Sequence, residues 1–142
     1  MIKKLFAPGN DSLPASLALL ALRLWLGLTM MLNHGLDKWR HFGAMSQNFF
    51  DPFHIGAAAS LGLVVFAEVG AAAMLAAGLL GRLAAFILAF DMGTAFFLFH
   101  KRALGGPMSG ELAFIYLGGF VTLLLAGPGK VSLDKIIFGK GK

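Results

Sequence analysis

Four long apolar runs divide this chain of 142 residues, and they constrain its fold more than any other feature. The runs cover residues 13–33, 57–80, 83–99 and 112–126. A helix needs about 20 residues, and at least about 17, to cross the apolar core of a bilayer. With their flanking residues, the runs predict spans at about 13–33, 57–80, 82–100 and 109–127. We therefore expect an all-α fold, an integral membrane four-helix bundle that forms a single domain over residues 1–142.

The composition supports lipid as the solvent and argues against nucleic acid as a partner. The chain is 58% hydrophobic and 13% charged, against a charged fraction of about 25% in ordinary soluble domains. Its net charge of +5 alone would be compatible with nucleic-acid binding. The basic residues lie between the apolar runs, however, as they do in the loops of membrane proteins. Membrane lipid is the expected partner, and no nucleic acid is expected.

The absence of cysteine limits the redox chemistry that the chain can carry by itself. Without cysteine, disulfides, thiolate metal sites and dithiol redox reactions are excluded within the chain. We find no haem signature either. Two histidines and a glutamate near three different helix ends could bind a divalent metal, but no His-x-x-x-His spacing supports such a site. We therefore expect no metal, and any redox role requires a bound cofactor or another subunit.

The basic residues also predict an orientation in the membrane. Lys3 and Lys4 precede the first run as in a signal peptide, but the run is long and contains Arg23, so we expect an uncleaved helix. With four spans, the termini and the second connection share one side. That side carries Lys3, Lys4, Arg82, Lys130, Lys135, Lys140 and Lys142. The other side carries Lys38, Arg40, Lys101 and Arg102. The positive-inside rule therefore predicts that both termini are cytoplasmic.

The first connection is rich in aromatic residues. Six large apolar side chains recur there at spacings near three and four: Trp39, Phe42, Met45, Phe49, Phe50 and Phe53. This spacing predicts a short interfacial helix between the first and second spans, broken near Pro52 and lying on the outer surface. Two functions remain open for it, anchoring at the membrane interface and covering a site as a lid. The second connection is nearly absent, and it predicts a tight turn at Gly81.

Three charged residues lie near the middle of the first three spans: Arg23, Glu68 and Asp91. A charge at the centre of a spanning helix is unfavourable by about 2.5–3.5 kcal/mol, so such residues usually face the bundle interior and find partners. We expect the three to meet near the midplane, with Arg23 within salt-bridge reach of Glu68, Asp91 or both. Such a cluster either fixes helix packing alone or forms the polar core of a functional site.

Further polar side chains occur at the predicted outer ends of three spans: His34, Lys38, His100 and Glu111. Arg23 and His34 are eleven residues apart, which is nearly a whole number of helical turns and about 16 Å along the axis. They should share a face. We expect them to line a cavity that opens outward, with Arg23 at its floor and Trp39 or Phe42 near its mouth. The alternative is that these residues only end helices and meet headgroup water.

Three motifs in this order resemble the DoxX family of small four-helix membrane proteins. They are LRLWLGLTMMLNHGLDKW, FAEVGAAAMLAAGLLGRLAA and GELAFIYLGGFVTLLLAGPGKVSLD. The resemblance implies a bundle in the bacterial inner membrane. The family is named after a subunit of an archaeal thiosulfate:quinone oxidoreductase, and other members are linked to membrane redox complexes. Asp91 has no secure counterpart in the family pattern, and the lack of cysteine excludes a sulfur-carrying thiol.

The resemblance and the polar residues together give a leading functional hypothesis. The protein would support quinone-linked redox chemistry as a subunit of an oxidoreductase complex. Its cofactor would be a quinone and its partners would be redox subunits, and whether it also forms a homo-oligomer stays open. His34 and Glu111 would handle protons as catalytic residues. The expected cofactor-binding residues are Arg23, Lys38, Trp39, Glu68, Asp91 and His100. The alternative is a non-enzymatic protein that binds lipid or a small molecule, as a scaffold, transporter or assembly partner.

Overall fold

The computed structural model describes residues 12–139, and over that range the chain is helical without strands. Six helices follow one another: α1 (Leu13–Arg40), α2 (Phe42–Met45), α3 (Ala57–Ala77), α4 (Gly81–Phe99), α5 (Glu111–Ala126) and α6 (Leu133–Phe138). Helices α1, α3 and α4 are long and apolar enough to cross a membrane. Helix α5 has 16 residues and is somewhat shorter. The all-α bundle expected from the sequence is confirmed.

The four large helices run alternately up and down. The backbone N–H of Lys130, after α5, donates to the Ser16 hydroxyl near the start of α1. The N–H of Asp134 donates to the carbonyl of Gly78, at the end of α3. The start of α1, the α3–α4 turn and the chain after α5 therefore share one end of the bundle, which we call the terminal end. The opposite end, with the α1–α3 and α4–α5 connections, is the loop end.

Apolar side chains cover the outside of the bundle as well as its core. Leu88 and Phe120 are fully buried between the helices, whereas Trp25 is 77% and Leu125 is 72% exposed. In water, so large an exposed apolar surface would drive association, but lipid accepts it without penalty. The exterior is therefore suited to a bilayer. The orientation remains a prediction, because Lys3, Lys4, Lys140 and Lys142 lie outside the described residues.

Two connections differ from the sequence-based expectation. The helix expected in the first connection is a single turn, α2, and the chain from Ser46 to Gly56 is not helical. The carboxylate of Asp51 accepts hydrogen bonds from the N–H groups of Ile55 and Gly56, which folds this segment into a turn. The α3–α4 turn lies before Gly81 rather than at it, since Gly78 and Leu80 have φ values of +71° and +46°.

Helix α1 is longer than expected. It continues to Arg40, well past the expected end at residue 33.

Three of the large helices contain a π-helical segment: Met31–Gly35 in α1, Phe66–Ala71 in α3 and Ala95–Phe99 in α4. Such segments are rare and occur frequently at functional sites. The first two are in contact, because a Cβ atom on Gly35 would lie only 2.7 Å from the backbone carbon of Glu68. The absence of a side chain at Gly35 thus allows α1 to approach α3 closely where both helices are π-helical.

Candidate functional site

A cavity of about 960 Å³ lies between the four large helices, in the half of the bundle nearer the loop end. Its volume is at the upper end of the range for small-molecule sites. Aromatic and aliphatic side chains form most of its wall, including several from the α1–α3 connection. The ionisable and phenolic side chains that line it are His34, Lys38, Glu68, Asp91, His100 and Tyr116. The cavity is therefore mainly apolar with a small polar region.

An ion pair between α1 and α3 forms the centre of the polar region. The Lys38 ammonium donates to both carboxylate oxygens of Glu68, at 2.7 and 3.0 Å. The Glu68 side chain is 5% exposed and that of Lys38 is 21% exposed. Glu68 belongs to the π-helical segment of α3, and Lys38 lies one turn beyond Gly35, where α1 approaches that segment. Close helix packing therefore brings the two charges together, and the pair compensates a buried carboxylate.

Asp91, on α4, contributes an unused hydrogen-bonding atom to the cavity wall. Its Oδ2 atom is buried and has no hydrogen-bond partner among residues 12–139. Its carboxyl group is near enough to Glu68 and Lys38 to interact with them electrostatically. Buried polar atoms in folded proteins nearly always have a partner, so an unpaired one at a cavity indicates where a ligand or a water could bind.

Two histidines and a tyrosine complete the polar region. The His34 ring meets the Tyr116 ring edge-on at 5.8 Å, and Tyr116 stacks on Phe120 at 5.7 Å. His100 Nδ1 lies 2.9 Å from the carbonyl oxygen of Met108. Because a carbonyl can only accept, Nδ1 carries the proton and donates it. This leaves Nε2 of His100 available as the second ring nitrogen.

The α1–α3 connection forms a roof over the cavity, and Asp51 fixes its conformation. The Ser60 hydroxyl donates to Asp51 at 2.7 Å, and this hydrogen bond, with those from the backbone, lowers the pKa of Asp51 below its ordinary value of 3.8. Phe50 packs edge-on against Phe99 at 5.2 Å, and Phe53 stacks on Phe90 at 6.0 Å. Since Phe50 and Phe53 line the cavity, the geometry favours a cover over a membrane anchor alone.

The expectation that Arg23 lies within salt-bridge reach of Glu68, Asp91 or both is wrong. Arg23 is fully buried at the terminal end, where its Nη2 donates to the Val131 carbonyl, and it does not line the cavity. Two features place it there. The chain after α5 folds back onto the bundle, and Gly78 leaves room for the guanidinium, which a Cβ atom at that position would overlap. Lys38 takes the place that was expected for Arg23.

Glu111 and Trp39 are also placed differently from the expectation. Glu111 begins α5 at the loop end, but its side chain is exposed and is not part of the cavity wall. Trp39 is 59% exposed, and neither Trp39 nor Phe42 lines the cavity. The aromatic side chains at the mouth come from later in the same connection, from Phe49, Phe50 and Phe53. The structure thus brings together five of the eight expected residues: His34, Lys38, Glu68, Asp91 and His100.

Two residues that shape the site, Tyr116 in the cavity wall and Asp51 in the roof, were not predicted from the sequence. Tyr116, the only tyrosine in the chain, occurs within an apolar run, and that isolated hydroxyl was a signal that could have been used. Asp51 had no comparable signal, because its function depends on the fold of the connection. Among residues 12–139, no three His, Asp or Glu side chains are grouped so that they could hold a metal ion.

The chain is similar to a known protein family. The model of a family described as DoxX matches residues 18–101, which include α3, α4, the connection between α1 and α3, and α1 except for its first five residues. No curated protein and no solved structure matches the chain. The matched segment contains all the polar residues of the cavity wall named above except Tyr116.

Proposed function

The chain belongs to the DoxX family of membrane proteins, and we propose that its cavity binds a quinone and thereby supports quinone-linked redox chemistry within an oxidoreductase complex. The observation that carries this proposal is the unpaired Oδ2 of Asp91 beside the Lys38–Glu68 ion pair. The cavity combines a small polar region with a large apolar wall. A quinone has the same division, with two carbonyl oxygens on an apolar ring.

The polar residues fit both redox forms of such a ligand. A quinone carbonyl accepts hydrogen bonds, and the Lys38 ammonium and the His34 ring are donors within the same wall. A quinol hydroxyl donates hydrogen bonds, and Asp91 Oδ2 is an unused acceptor. Reduction of a quinone to a quinol takes up two electrons and two protons. Asp91, His34 and His100 could exchange those protons, because each is a titratable group at the cavity.

The electrons would enter from a partner subunit that carries its own redox centre. The chain has no cysteine, so it contributes no dithiol and no thiolate ligand for an iron–sulfur cluster. The proposed role of this chain is therefore to bind the quinone and to supply or remove protons. We place the protein in the bacterial inner membrane with both termini cytoplasmic, a topology that a C-terminal reporter active only in the cytoplasm would test.

The direct experiment is to identify the molecule that co-purifies with the protein in mild detergent by mass spectrometry. A quinone supports the proposal. A phospholipid without quinone contradicts it and favours the alternative of a lipid-binding scaffold, which the mainly apolar wall would also accept.

Matched aspartate variants locate the ligand. Asp91→Asn keeps the shape of the side chain but removes the charge, and we expect about fivefold to tenfold less bound quinone, the effect of one hydrogen bond. Asp37→Asn is the control, since Asp37 is exposed on α1, pairs with His41 and does not line the cavity. Equal quinone content in the two variants would remove Asp91 from the site.

A further inference from the structure

We propose that a shallow groove on the lipid-facing side of α4 and α5 holds the chain of the ligand whose ring occupies the cavity. The inference rests on the proposed function and extends it, because it makes the ligand a quinone with a long apolar tail. The groove has a volume of about 450 Å³ and is lined by apolar residues of α4 and α5 and by Phe53 of the roof.

The groove adjoins the cavity. Phe53, Phe90 and Thr94 line both spaces. The stacked rings of Phe53 and Phe90, with centroids 6.0 Å apart, separate them. Both side chains are at least half exposed. A rotation of exposed aromatic side chains occurs within nanoseconds and would need no movement of a helix. The two rings therefore form a gate between the cavity and the lipid.

The charges in the cavity wall favour an exit on this side. Lys38 and Glu68 belong to α1 and α3, and the turn that contains Asp51 closes the loop end. An apolar chain that passed between Lys38 and Glu68 would separate the two charges, which is unfavourable for a buried ion pair. The wall formed by Phe53, Phe90 and Thr94 carries no charge. A chain attached to a ring in the cavity can therefore reach the lipid most readily through the gate.

The groove acts by providing room rather than by attraction. A chain that moves from lipid into a groove gains little hydrophobic free energy, because lipid tails are as apolar as the side chains. If the groove is filled, a ligand with a chain cannot seat its ring, whereas a ring without a chain is unaffected. The inference therefore predicts a difference between two ligands in the same variant.

Two helical glycines provide a matched pair of variants. A Cβ atom at Gly93, in the groove, would meet no atom within 4 Å, and the same is true of Gly118 on α5. Gly118 lines neither the groove nor the cavity. Gly93→Phe and Gly118→Phe thus make the same change in open space, and only the first fills the groove. Gly93→Leu is a smaller substitution for use if the phenylalanine variant does not fold.

The test measures binding of a fully substituted benzoquinone with a decyl chain, and of the same ring with a methyl group, to protein in phosphatidylcholine nanodiscs. We expect Gly93→Phe to weaken binding of the decyl compound by about tenfold or more, an effect of about 1.4 kcal/mol. Binding of the methyl compound should stay the same in every variant, and Gly118→Phe should bind both compounds like the parent.

The possible failures are distinguishable. If the parent binds both compounds and Gly93→Phe still binds the decyl compound normally, the groove does not hold the chain, and the proposed function stands. If Gly93→Phe weakens both compounds equally while it remains folded, its effect is on the ring site and the inference is overturned. If the parent binds neither compound, the proposed function fails and the inference fails with it.

Discussion

Breaking the Lys38–Glu68 pair should destabilise the protein, and removing both charges should restore most of the stability. Lys38→Met leaves the Glu68 carboxylate, 5% exposed, without the ammonium that now contacts both of its oxygens. Loss of one partner of a buried pair is unfavourable by about 3–5 kcal/mol. Lys38 is 21% exposed, so solvent already weakens the pair and we take the lower value, about 3 kcal/mol. At about 2–4 °C per kcal/mol, the melting temperature should fall by about 6–12 °C.

The double variant Lys38→Met/Glu68→Gln provides the control. It removes the unpaired charge, and replacement of a buried pair by neutral groups is often nearly neutral. Thermal unfolding in detergent at neutral pH should therefore give a melting temperature close to that of the parent. With Glu68→Gln as the second single variant, the double-mutant cycle should show a coupling energy of about 3 kcal/mol. If the double variant is no more stable than Lys38→Met alone, the ion pair does not account for the loss. The reasoning about a compensated buried charge would then be wrong.

Three further predictions separate the two ends of the bundle. Arg23→Leu leaves the Val131 carbonyl without its donor, so the melting temperature should fall by an amount equivalent to about 1–3 kcal/mol, while mass spectrometry should find the normal amount of bound ligand. Gly35→Ala places a Cβ atom 2.7 Å from the backbone of Glu68, and overpacking of about 1–3 kcal/mol should lower both thermal stability and ligand content. The hydrogen bond from a serine hydroxyl lowers the pKa of Asp51. The Asp51 carboxylate therefore stabilises the roof fully above the pKa that Asp51 has in the unfolded chain, and this stabilisation is lost as the pH falls through its lower pKa in the folded protein. The protection factors of the roof amides, which are the exchange rates corrected for the intrinsic rate at each pH, should be constant from pH 7 to about 5 and should fall below about pH 4, whereas Asp51→Asn should lower them at every pH.

The sequence predicted the helices well because their signal is local. Each apolar run is long enough to indicate a helix by itself, and intramembrane charges such as Glu68 and Asp91 indicate a site because they are unfavourable elsewhere in a bilayer. The partner of Glu68 was not predictable in the same way. Lys38 was assigned to the outer end of a span that was expected to stop at residue 33, but α1 continues to Arg40. Lys38, which was expected beyond the end of the first span, is therefore a helix residue, and its side chain lines the cavity.

The π-helical segment of α1 is a second feature that could not be predicted from the sequence. Arg23 is buried and His34 lines the cavity, so both face the bundle interior, but the helix between them is not a regular α-helix throughout. Residues Met31–Gly35 are π-helical, so the side chains that follow are rotated relative to those that precede them. Nothing in the local composition marks this segment. It coincides with the contact between Gly35 and the Glu68 backbone, which forms only when α1 and α3 are packed together.

A comparison of Asp134 with Asp91 shows why burial alone does not identify the functional end of the bundle. Asp134, at the terminal end, is 1% exposed, and its two carboxylate oxygens accept the N–H groups of Leu80 and Gly81 at 2.6 and 2.8 Å. These bonds satisfy backbone donors at the start of α4, where no earlier helical turn can accept them. Asp91 keeps an unpaired oxygen at the cavity. The oxygens of Asp134 are used by the backbone and Asp134 does not line the cavity, so Asp134 stabilises the α3–α4 turn, whereas the unpaired oxygen of Asp91 can accept a hydrogen bond from a ligand.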